Sequence, residues 1–207
     1  TSGDGFDYRE QAQGVSSHLG KVLGFTITGE PLANAPFPES PYVYTLGHRN
    51  PQGLVITSSG EILLNEHGPD GGDEINRVTR GDNYGWPVVT LGVDYSGAQI
   101  SPFNHYEGMV NPLLDWTPSI APSSMAIYND DGFTALKNTA IVTALKTKRV
   151  YAVPLENLRD GSIVKGAKLL LDKIDTRLRD VAIDKNGDIL LLTDGEKGKV
   201  IRISPVN

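Results

Sequence analysis

The sequence of 207 residues contains no cysteine, which excludes disulfide bonds and thiolate metal sites and leaves the redox compartment open. It also lacks an apolar run near the roughly 18 residues that a membrane span requires, so no membrane span is expected. An excess of positive charge is missing too, since 25 acidic and 19 basic side chains give a formal net charge of −6. Nucleic acid is therefore not an expected partner, because a basic patch is the usual footprint of phosphate binding. The first residues show neither an initiator methionine nor a signal-peptide pattern, and we interpret them as a processed or truncated end.

Turn-forming residues are plentiful, with 23 glycines and 13 prolines, and helical patterns are rare. Short apolar stretches rich in Val, Ile, Thr or Tyr alternate with Gly, Asn, Asp or Pro, as strands and turns do. Only Tyr8–Leu19 and Phe133–Lys137 could form short helices, so the predicted fold class is all-β. The predicted strands are Pro41–Leu46, Gly53–Thr57, Glu61–Asn65, Thr139–Leu145, Arg149–Leu155, Asp180–Asp184, Asp188–Thr193 and Lys199–Ser204.

A repeat favours one all-β architecture, the β-propeller. Residues 55–64 and 182–191 share the pattern of a strand, a turn closed by glycine, an acidic residue and an Ile-Leu-Leu strand. The distance between the turn glycines, Gly60 and Gly187, suits two or three blades of roughly 40 to 50 residues each, and the whole chain then holds about four. Two unrelated hairpins would also explain the repeat. Because four blades form an open arc with exposed sheet edges, we expect a partner segment to cover those edges.

The densest cluster of polar residues between glycines runs from Leu46 to Pro87. It includes Gly-His-Arg-Asn-Pro-Gln-Gly at 47–53, Glu-His-Gly-Pro at 66–69 and Gly-Gly-Asp-Glu-Ile-Asn at 71–76. Such turns leave backbone carbonyls pointing outward, and these oxygens suit a hard cation such as calcium. The cluster therefore indicates loops shaped around a ligand. The alternative is a set of surface turns with solvated charges.

A second cluster is cationic. Lys146 follows a predicted strand, and Arg177 and Arg179 flank Leu178 just before another. Residues two apart on a strand face the same side, so both guanidinium groups can point at one anion. The alternative is an arginine pair on a solvated strand face with Asp175 and Asp180 as neighbours.

Together these segments resemble a known family. The residues that carry the resemblance appear in the family's order, from about Gly3 to the end of the chain, and they are Leu46–Gly53, Glu66–Asn76, Asn83–Pro87, Ser119–Ser124 and Arg177–Val181. They closely resemble the soluble glucose and aldose dehydrogenases that depend on pyrroloquinoline quinone (PQQ), the glucose/sorbosone dehydrogenase family. The resemblance implies PQQ and calcium as cofactors and a six-bladed β-propeller. Residues 1–207 would then be the C-terminal part of one propeller domain, about four blades, with the N-terminal blades absent.

The resemblance also implies roles for individual residues. Arg49 would lie near the reactive quinone oxygens and act as the catalytic residue, and the carbonyls of Gly68 and Pro69 would bind the calcium that bridges to the cofactor. A further structural calcium would use Glu74 and Asp94 with the carbonyls of Tyr84 and Thr90. The residues expected to bind the cofactor are Arg49, Asn50, Ser119, Lys146, Arg177 and Arg179.

The implied reaction is oxidation of an aldose sugar at its anomeric carbon to the lactone, with electrons passed to an external acceptor. The implied location is periplasmic or secreted. The family's histidine base lies upstream of these motifs, and none of His18, His48, His67 and His105 matches it. The chain would then be a truncated or cleaved piece, or an N-terminal segment or second copy would complete the propeller. The competing interpretation is a catalytically incomplete fragment that acts as a binding or interaction module.

Overall fold

A computed structural model describes residues 1–5, 7–159, 161–172 and 174–205. These residues form fourteen β-strands and three short 3₁₀-helices, and no α-helix occurs among them. The helices are η1 (Arg9–Ala12), η2 (Thr134–Leu136) and η3 (Leu155–Leu158). The strands are β1 (Lys21–Leu23), β2 (Val43–Leu46), β3 (Pro51–Ile56), β4 (Ile62–Glu66), β5 (Asp73–Arg77), β6 (Leu114–Trp116), β7 (Pro122–Tyr128), β8 (Thr139–Ala144), β9 (Val150–Pro154), β10 (Val164–Lys165), β11 (Lys168–Leu171), β12 (Leu178–Ile183), β13 (Ile189–Thr193) and β14 (Val200–Ile203).

The strands in the described ranges form four sheets. Sheet 1 pairs β1 with β2, sheet 2 has the order β10-β6-β5-β4-β3, sheet 3 the order β11-β9-β8-β7 and sheet 4 the order β12-β13-β14. All neighbours are antiparallel except the short β10, which runs parallel to β6. The edge strands β3, β7 and β12 pack against one another in succession, as the innermost strands of neighbouring propeller blades do. The predicted all-β fold is confirmed, and the four sheets fit a partial propeller.

The hydrophobic cores lie between successive sheets, and β8 shows how one strand serves two of them. All six residues of β8 are buried. Ala140, Val142 and Ala144 belong to the core between sheets 2 and 3. Ile141 belongs to the core between sheets 3 and 4. Because successive side chains of a strand point to opposite faces, an uninterrupted apolar strand covers both neighbouring sheets.

Every predicted strand is present, with ends shifted by no more than two residues. The repeat is also present in the structure, where it forms the β3–β4 and β12–β13 hairpins. The Gly60 amide donates to the Thr57 carbonyl, and the Gly187 amide donates to the Asp184 carbonyl. The two segments expected to form short helices each contain one 3₁₀-helix: η2 ends within one residue of either end of Phe133–Lys137, whereas η1 covers only part of Tyr8–Leu19. Chain direction changes at Gly20, which has a φ of 65° and where a Cβ would lie 2.5 Å from the His48 carbonyl oxygen.

A buried lysine fastens the N-terminal segment to sheet 1. The Lys21 side chain has no exposed surface. Its ammonium group donates to the carbonyls of Gln11 (2.8 Å), Ala12 (3.0 Å) and Leu19 (2.6 Å). These carbonyls belong to η1 and the turn after it, so one cation holds the whole segment in place. Burial lowers the pKa of Lys21 to about 8.

Replacing Lys21 with methionine is expected to lower the free energy of unfolding by about 2–4 kcal/mol, because three carbonyls, one of them buried, lose their charged donor. Between pH 8 and 10.5, folded Lys21 binds fewer protons than unfolded Lys21. Its contribution to stability therefore rises with pH in that window, and the variant should lack the rise. Urea denaturation across the pH range measures both effects.

Lys185→Met, at an exposed turn position, is the matched control. It should change the free energy of unfolding by less than about 0.5 kcal/mol. Equal losses in the two variants would contradict the role given to Lys21.

Candidate functional site

In each of sheets 2, 3 and 4 the innermost strand (β3, β7 or β12) begins beside the end of the strand that it pairs with (β4, β8 or β13), and we call this place a corner. Because β3, β7 and β12 are adjacent, these three corners lie side by side at one end of the molecule. We call them the first, second and third corner. They are closed by the backbone hydrogen bonds His67 N–H to Asn50 O (3.0 Å), Leu145 N–H to Ala121 O (2.8 Å) and Asp194 N–H to Arg177 O (2.8 Å).

Arg49 lies at the first corner between two aromatic rings. Its guanidinium carbon is 5.4 Å from the centre of the Trp86 ring and 5.9 Å from that of Tyr95. One guanidinium nitrogen donates to the His67 carbonyl (3.4 Å), and the backbone amide donates to the Glu66 carboxylate (2.8 Å). The arginine is thus oriented by cation–π and hydrogen-bond contacts while part of it stays accessible.

A buried histidine, His48, supports the loop that carries Arg49. His48 has no exposed surface. Its Nδ1 lies 2.8 Å from Glu66 and its Nε2 lies 2.9 Å from the Thr45 hydroxyl. Its ring stacks on Tyr84 with 4.6 Å between centres. The same Glu66 carboxylate holds the Arg49 amide, so the pair fixes the backbone from which Arg49 projects.

Asn50 and His67 complete the first corner. The Asn50 amide nitrogen lies 3.3 Å from His67 Nδ1, and its oxygen accepts from Gln52 (3.0 Å). His67 Nε2 lies 2.8 Å from the Pro122 carbonyl. Burial lowers the pKa of His67. The positive charges of Arg49 and Arg179 lower this pKa further, whereas Asp73 and the hydrogen bond with the Pro122 carbonyl raise it.

Asp73 joins the first corner to the second and was not singled out from the sequence. Its buried carboxylate accepts hydrogen bonds from Gly68 N–H (3.0 Å), the Ser119 hydroxyl (2.7 Å), and the amides of Ile120 and Ala121 (2.8 Å each). Burial raises the pKa of Asp73. The hydrogen bonds from Ser119 and Ala121 favour the charged form and lower this pKa, but the effect of burial is larger. Ser119, predicted to line the cofactor site, has its hydroxyl turned to Asp73.

The predicted cations occupy the second and third corners. Lys146 lies 3.6 Å from Asp70. Arg177 and Arg179 both reach Asp194, at 2.9 and 3.4 Å. The predicted convergence of the two arginines on one anion is therefore present, with Asp194 as the partner. All three cationic side chains are about half exposed. Such pairs contribute little to stability and can be rearranged around a ligand.

Two open clefts meet at Arg49, and Asp4 and Tyr95 also line both. The larger one, about 530 Å³, includes Asn50 and His67, and the smaller one, about 320 Å³, includes Trp86 and Asp94. Asp4 accepts a hydrogen bond from the Trp86 indole at 2.7 Å, which ties the N-terminal segment to the site. The predicted calcium ligand Pro69 lines the smaller cleft. Charged and polar side chains in the walls, with room for a small molecule, make this end of the fold a candidate binding site.

The other predicted metal ligands divide between two places. Gly68, Glu74, Tyr84 and Thr90 line one small cavity of about 20 Å³, whereas Asp94 lies outside it, 3.9 Å from Arg9. Burial raises the pKa of Glu74 well above its ordinary value, and the neighbouring carboxylates raise it further. Over the residues that the structure describes, no three His, Cys, Asp or Glu side chains are arranged to hold a metal. An ion in this cavity would depend on carbonyl oxygens.

Fold and site together define a partial β-propeller with cations gathered at one end of its innermost strands. A model of the glucose / sorbosone dehydrogenase family matches residues 1–202. The chain belongs to this family of sugar dehydrogenases. None of the helices in the described part of the chain is long and apolar enough to cross a membrane.

Individual relatives agree with this assignment. The aldose sugar dehydrogenase YliI of Escherichia coli is 35% identical over 206 residues, which are 96% of this chain and 54% of YliI. A crystal structure of a glucose dehydrogenase superposes with a TM-score of 0.88 at 34% identity, covering 96% of this chain and 58% of that one. The structure of the PQQ-bound aldose sugar dehydrogenase of Streptomyces coelicolor superposes with a TM-score of 0.73 at 28% identity, covering 95% of this chain and 55% of that one. The chain spans about half the length of the curated relatives it matches.

Proposed function

We propose that this chain forms the cofactor-holding part of a PQQ- and calcium-dependent aldose dehydrogenase. The observation that carries the proposal is the presence of four cationic side chains at three adjacent corners: Arg49, Lys146, Arg177 and Arg179. A scaffold protein has no need of convergent cations, whereas a planar polyanion needs several fixed ones. The reaction would be oxidation of an aldose at its anomeric carbon to the lactone, in the periplasm or outside the cell, with electrons passed to an external acceptor.

The residues present fit PQQ. The cofactor carries carboxylates, and arginine binds carboxylates bidentately while lysine supplies a point charge. Arg177 and Arg179 already share the carboxylate of Asp194, so they show the geometry that a ligand carboxylate would meet. Asn50 adds an amide beside Arg49 at the first corner. Ser119 would contribute through the turn that it stabilises, since its hydroxyl is engaged by Asp73.

The residues present also fit calcium, which favours oxygen ligands from carboxylates and backbone carbonyls. Glu74 lies directly opposite Glu66 on β4 and Asp115 on β6. Like charges in this register repel each other, and a bound cation would offset the repulsion. We propose the carbonyls of Gly68 and Pro69 for the calcium beside the cofactor, and Glu74 with the carbonyls of Tyr84 and Thr90 for a second ion. Asp94 would join the second ion only if it left Arg9.

When bound, the quinone supplies an electrophilic carbonyl that accepts hydride from the sugar, and calcium would polarise it. Arg49 would place a fixed positive charge where negative charge develops on the quinone oxygen. His48 does not serve as the proton acceptor, because its ring is buried with both nitrogens engaged. We assign the base to an N-terminal segment or a second copy that completes the propeller.

The test is calorimetric titration of the chain with PQQ, once in calcium and once in EDTA, beside a sugar-dependent dye-reduction assay. We expect tight binding in calcium and much weaker binding in EDTA. Dye reduction should require the completing segment, because the base is placed there. Absence of binding in both conditions would refute the cofactor site and leave the interpretation as an interaction module.

A further inference from the structure

His67 contacts both residues that would meet the quinone at the first corner. Its carbonyl accepts from the Arg49 guanidinium (3.4 Å), and its amide donates to the Asn50 carbonyl (3.0 Å). Its ring adds a contact to the Asn50 side-chain amide (3.3 Å) and another to the Pro122 carbonyl (2.8 Å). Pro122 opens β7, so this one side chain connects the first corner to the second.

The contacts determine which ring nitrogen carries the proton. The Pro122 carbonyl only accepts, so His67 Nε2 must be protonated and donate to it. In the neutral ring Nδ1 is then an acceptor, and it receives a hydrogen bond from the Asn50 amide nitrogen. Because the Asn50 oxygen accepts from Gln52, the orientation of the Asn50 amide is determined on both sides. Among the residues that the structure describes, the second proton of the Asn50 amide nitrogen has no acceptor, and it can donate to a ligand.

We propose that His67 is a positioning residue that orients Asn50 toward the quinone and holds the first corner against the second. The proposal rests on the proposed function, since the ligand is the quinone. The two contacts of the ring do different work. The contact of Nδ1 with Asn50 sets ligand affinity, whereas the contact of Nε2 with Pro122 contributes mainly to stability.

Two substitutions separate these contacts. The side-chain oxygen in His67→Asn can replace Nδ1 as acceptor for Asn50 but does not reach Pro122. The side-chain nitrogen in His67→Gln can replace Nε2 as donor to Pro122 but offers nothing at the Nδ1 position. His67→Asn should keep the PQQ dissociation constant within about twofold and lower the melting temperature by about 2–4 °C. His67→Gln should keep the melting temperature and weaken PQQ binding about fivefold.

A double-mutant cycle tests whether His67 acts through Asn50. His67→Gln should weaken PQQ binding about fivefold in the natural sequence and less than about 1.5-fold in the Asn50→Ala background. The same loss in both backgrounds would overturn the proposal. So would parallel changes in affinity and melting temperature in His67→Asn and His67→Gln, which are what a purely structural role predicts.

A ligand-free readout separates this proposal from the proposed function. The side-chain amide signals of Asn50 in ¹⁵N-labelled protein are identified by their loss in Asn50→Ala. They should shift in His67→Gln and stay in place in His67→Asn. If the natural chain binds no PQQ but the signals behave in this way, the proposed function fails and the positioning role stands. Signals that do not respond to His67→Gln would overturn the positioning role even if PQQ binds.

Discussion

Replacing Asp73 with alanine is expected to lower the free energy of unfolding by about 3–5 kcal/mol, the largest stability effect we expect for a single substitution in this chain. The buried carboxylate accepts four hydrogen bonds, and three of the donors are backbone amides, in Gly68, Ile120 and Ala121. Without it these amides would be left without their acceptor, at about 1–3 kcal/mol each. The raised pKa of Asp73 shows that its burial is costly, which limits the net loss. Urea denaturation measures the effect.

Asp131→Ala is the matched control, because Asp131 is exposed and pairs only at the surface with Lys137 (2.6 Å). The control should lower the free energy of unfolding far less than Asp73→Ala does, because exposed ion pairs contribute little to stability. Asp73→Asn keeps one acceptor oxygen, and its loss in the free energy of unfolding should lie between those of Asp73→Ala and Asp131→Ala. Any Asp73→Ala protein that stays folded should bind PQQ poorly, since Gly68 and the 119–121 turn lose their common anchor. A loss no larger than that of Asp131→Ala would contradict the role assigned to Asp73.

The second large effect concerns Arg177 and Arg179. Exchanging both for alanine should weaken PQQ binding by about 100-fold or more, because each charged hydrogen bond to a carboxylate contributes about 1.5–3 kcal/mol. Each single exchange should cost about tenfold or more. Stability should change little, since the ion pairs with Asp194 are half exposed. Calorimetric titration gives the affinities, and thermal melting gives the stability.

The control is Arg202→Ala on β14 of the same sheet, which removes a guanidinium group that lies away from the third corner. Arg202 pairs with Asp188 at 3.6 Å. The control should leave PQQ binding within about twofold. Raising the salt concentration should weaken binding to the natural chain more than to the double variant, because fewer charges remain to be screened. Equal losses in Arg202→Ala and the double variant would mean that net charge, rather than the corner, attracts the quinone.

The strands could be predicted where their burial comes from apolar side chains. Alternation and turn residues located β8, β12 and β13 to within two residues. The predicted strands do not include β1, β5, β6, β7, β10 and β11, and β5 shows one reason, since four of its five residues are polar, in the sequence Asp-Glu-Ile-Asn-Arg. Its polar residues are held by a hydrogen-bonded network with Glu66, and apolar periodicity does not detect such burial.

The charged residues of the candidate site could be singled out from the sequence, but the buried residues that hold them in place could not. The spacing of Arg177 and Arg179 predicted a shared anion, and the structure supplies Asp194. The roles of Asp73 and His48 depend on partners farther along the chain: Ser119 follows Asp73 by 46 residues, and Glu66 follows His48 by 18. No local pattern in one sequence contains that information. Asp73 stood inside a motif that drew attention, but only its neighbour Glu74 was assigned a role.

The placement of the two tryptophans has an optical consequence. Trp86 is buried with its ring 5.4 Å from the Arg49 guanidinium, whereas Trp116 belongs to the core between sheets 2 and 3. Exchanging Trp116 for phenylalanine would leave one tryptophan, Trp86, located beside the first corner. Its emission would then report occupancy of the clefts directly, because an absorbing ligand next to Arg49 quenches it by energy transfer. Binding could be followed in real time without turnover, dye or label.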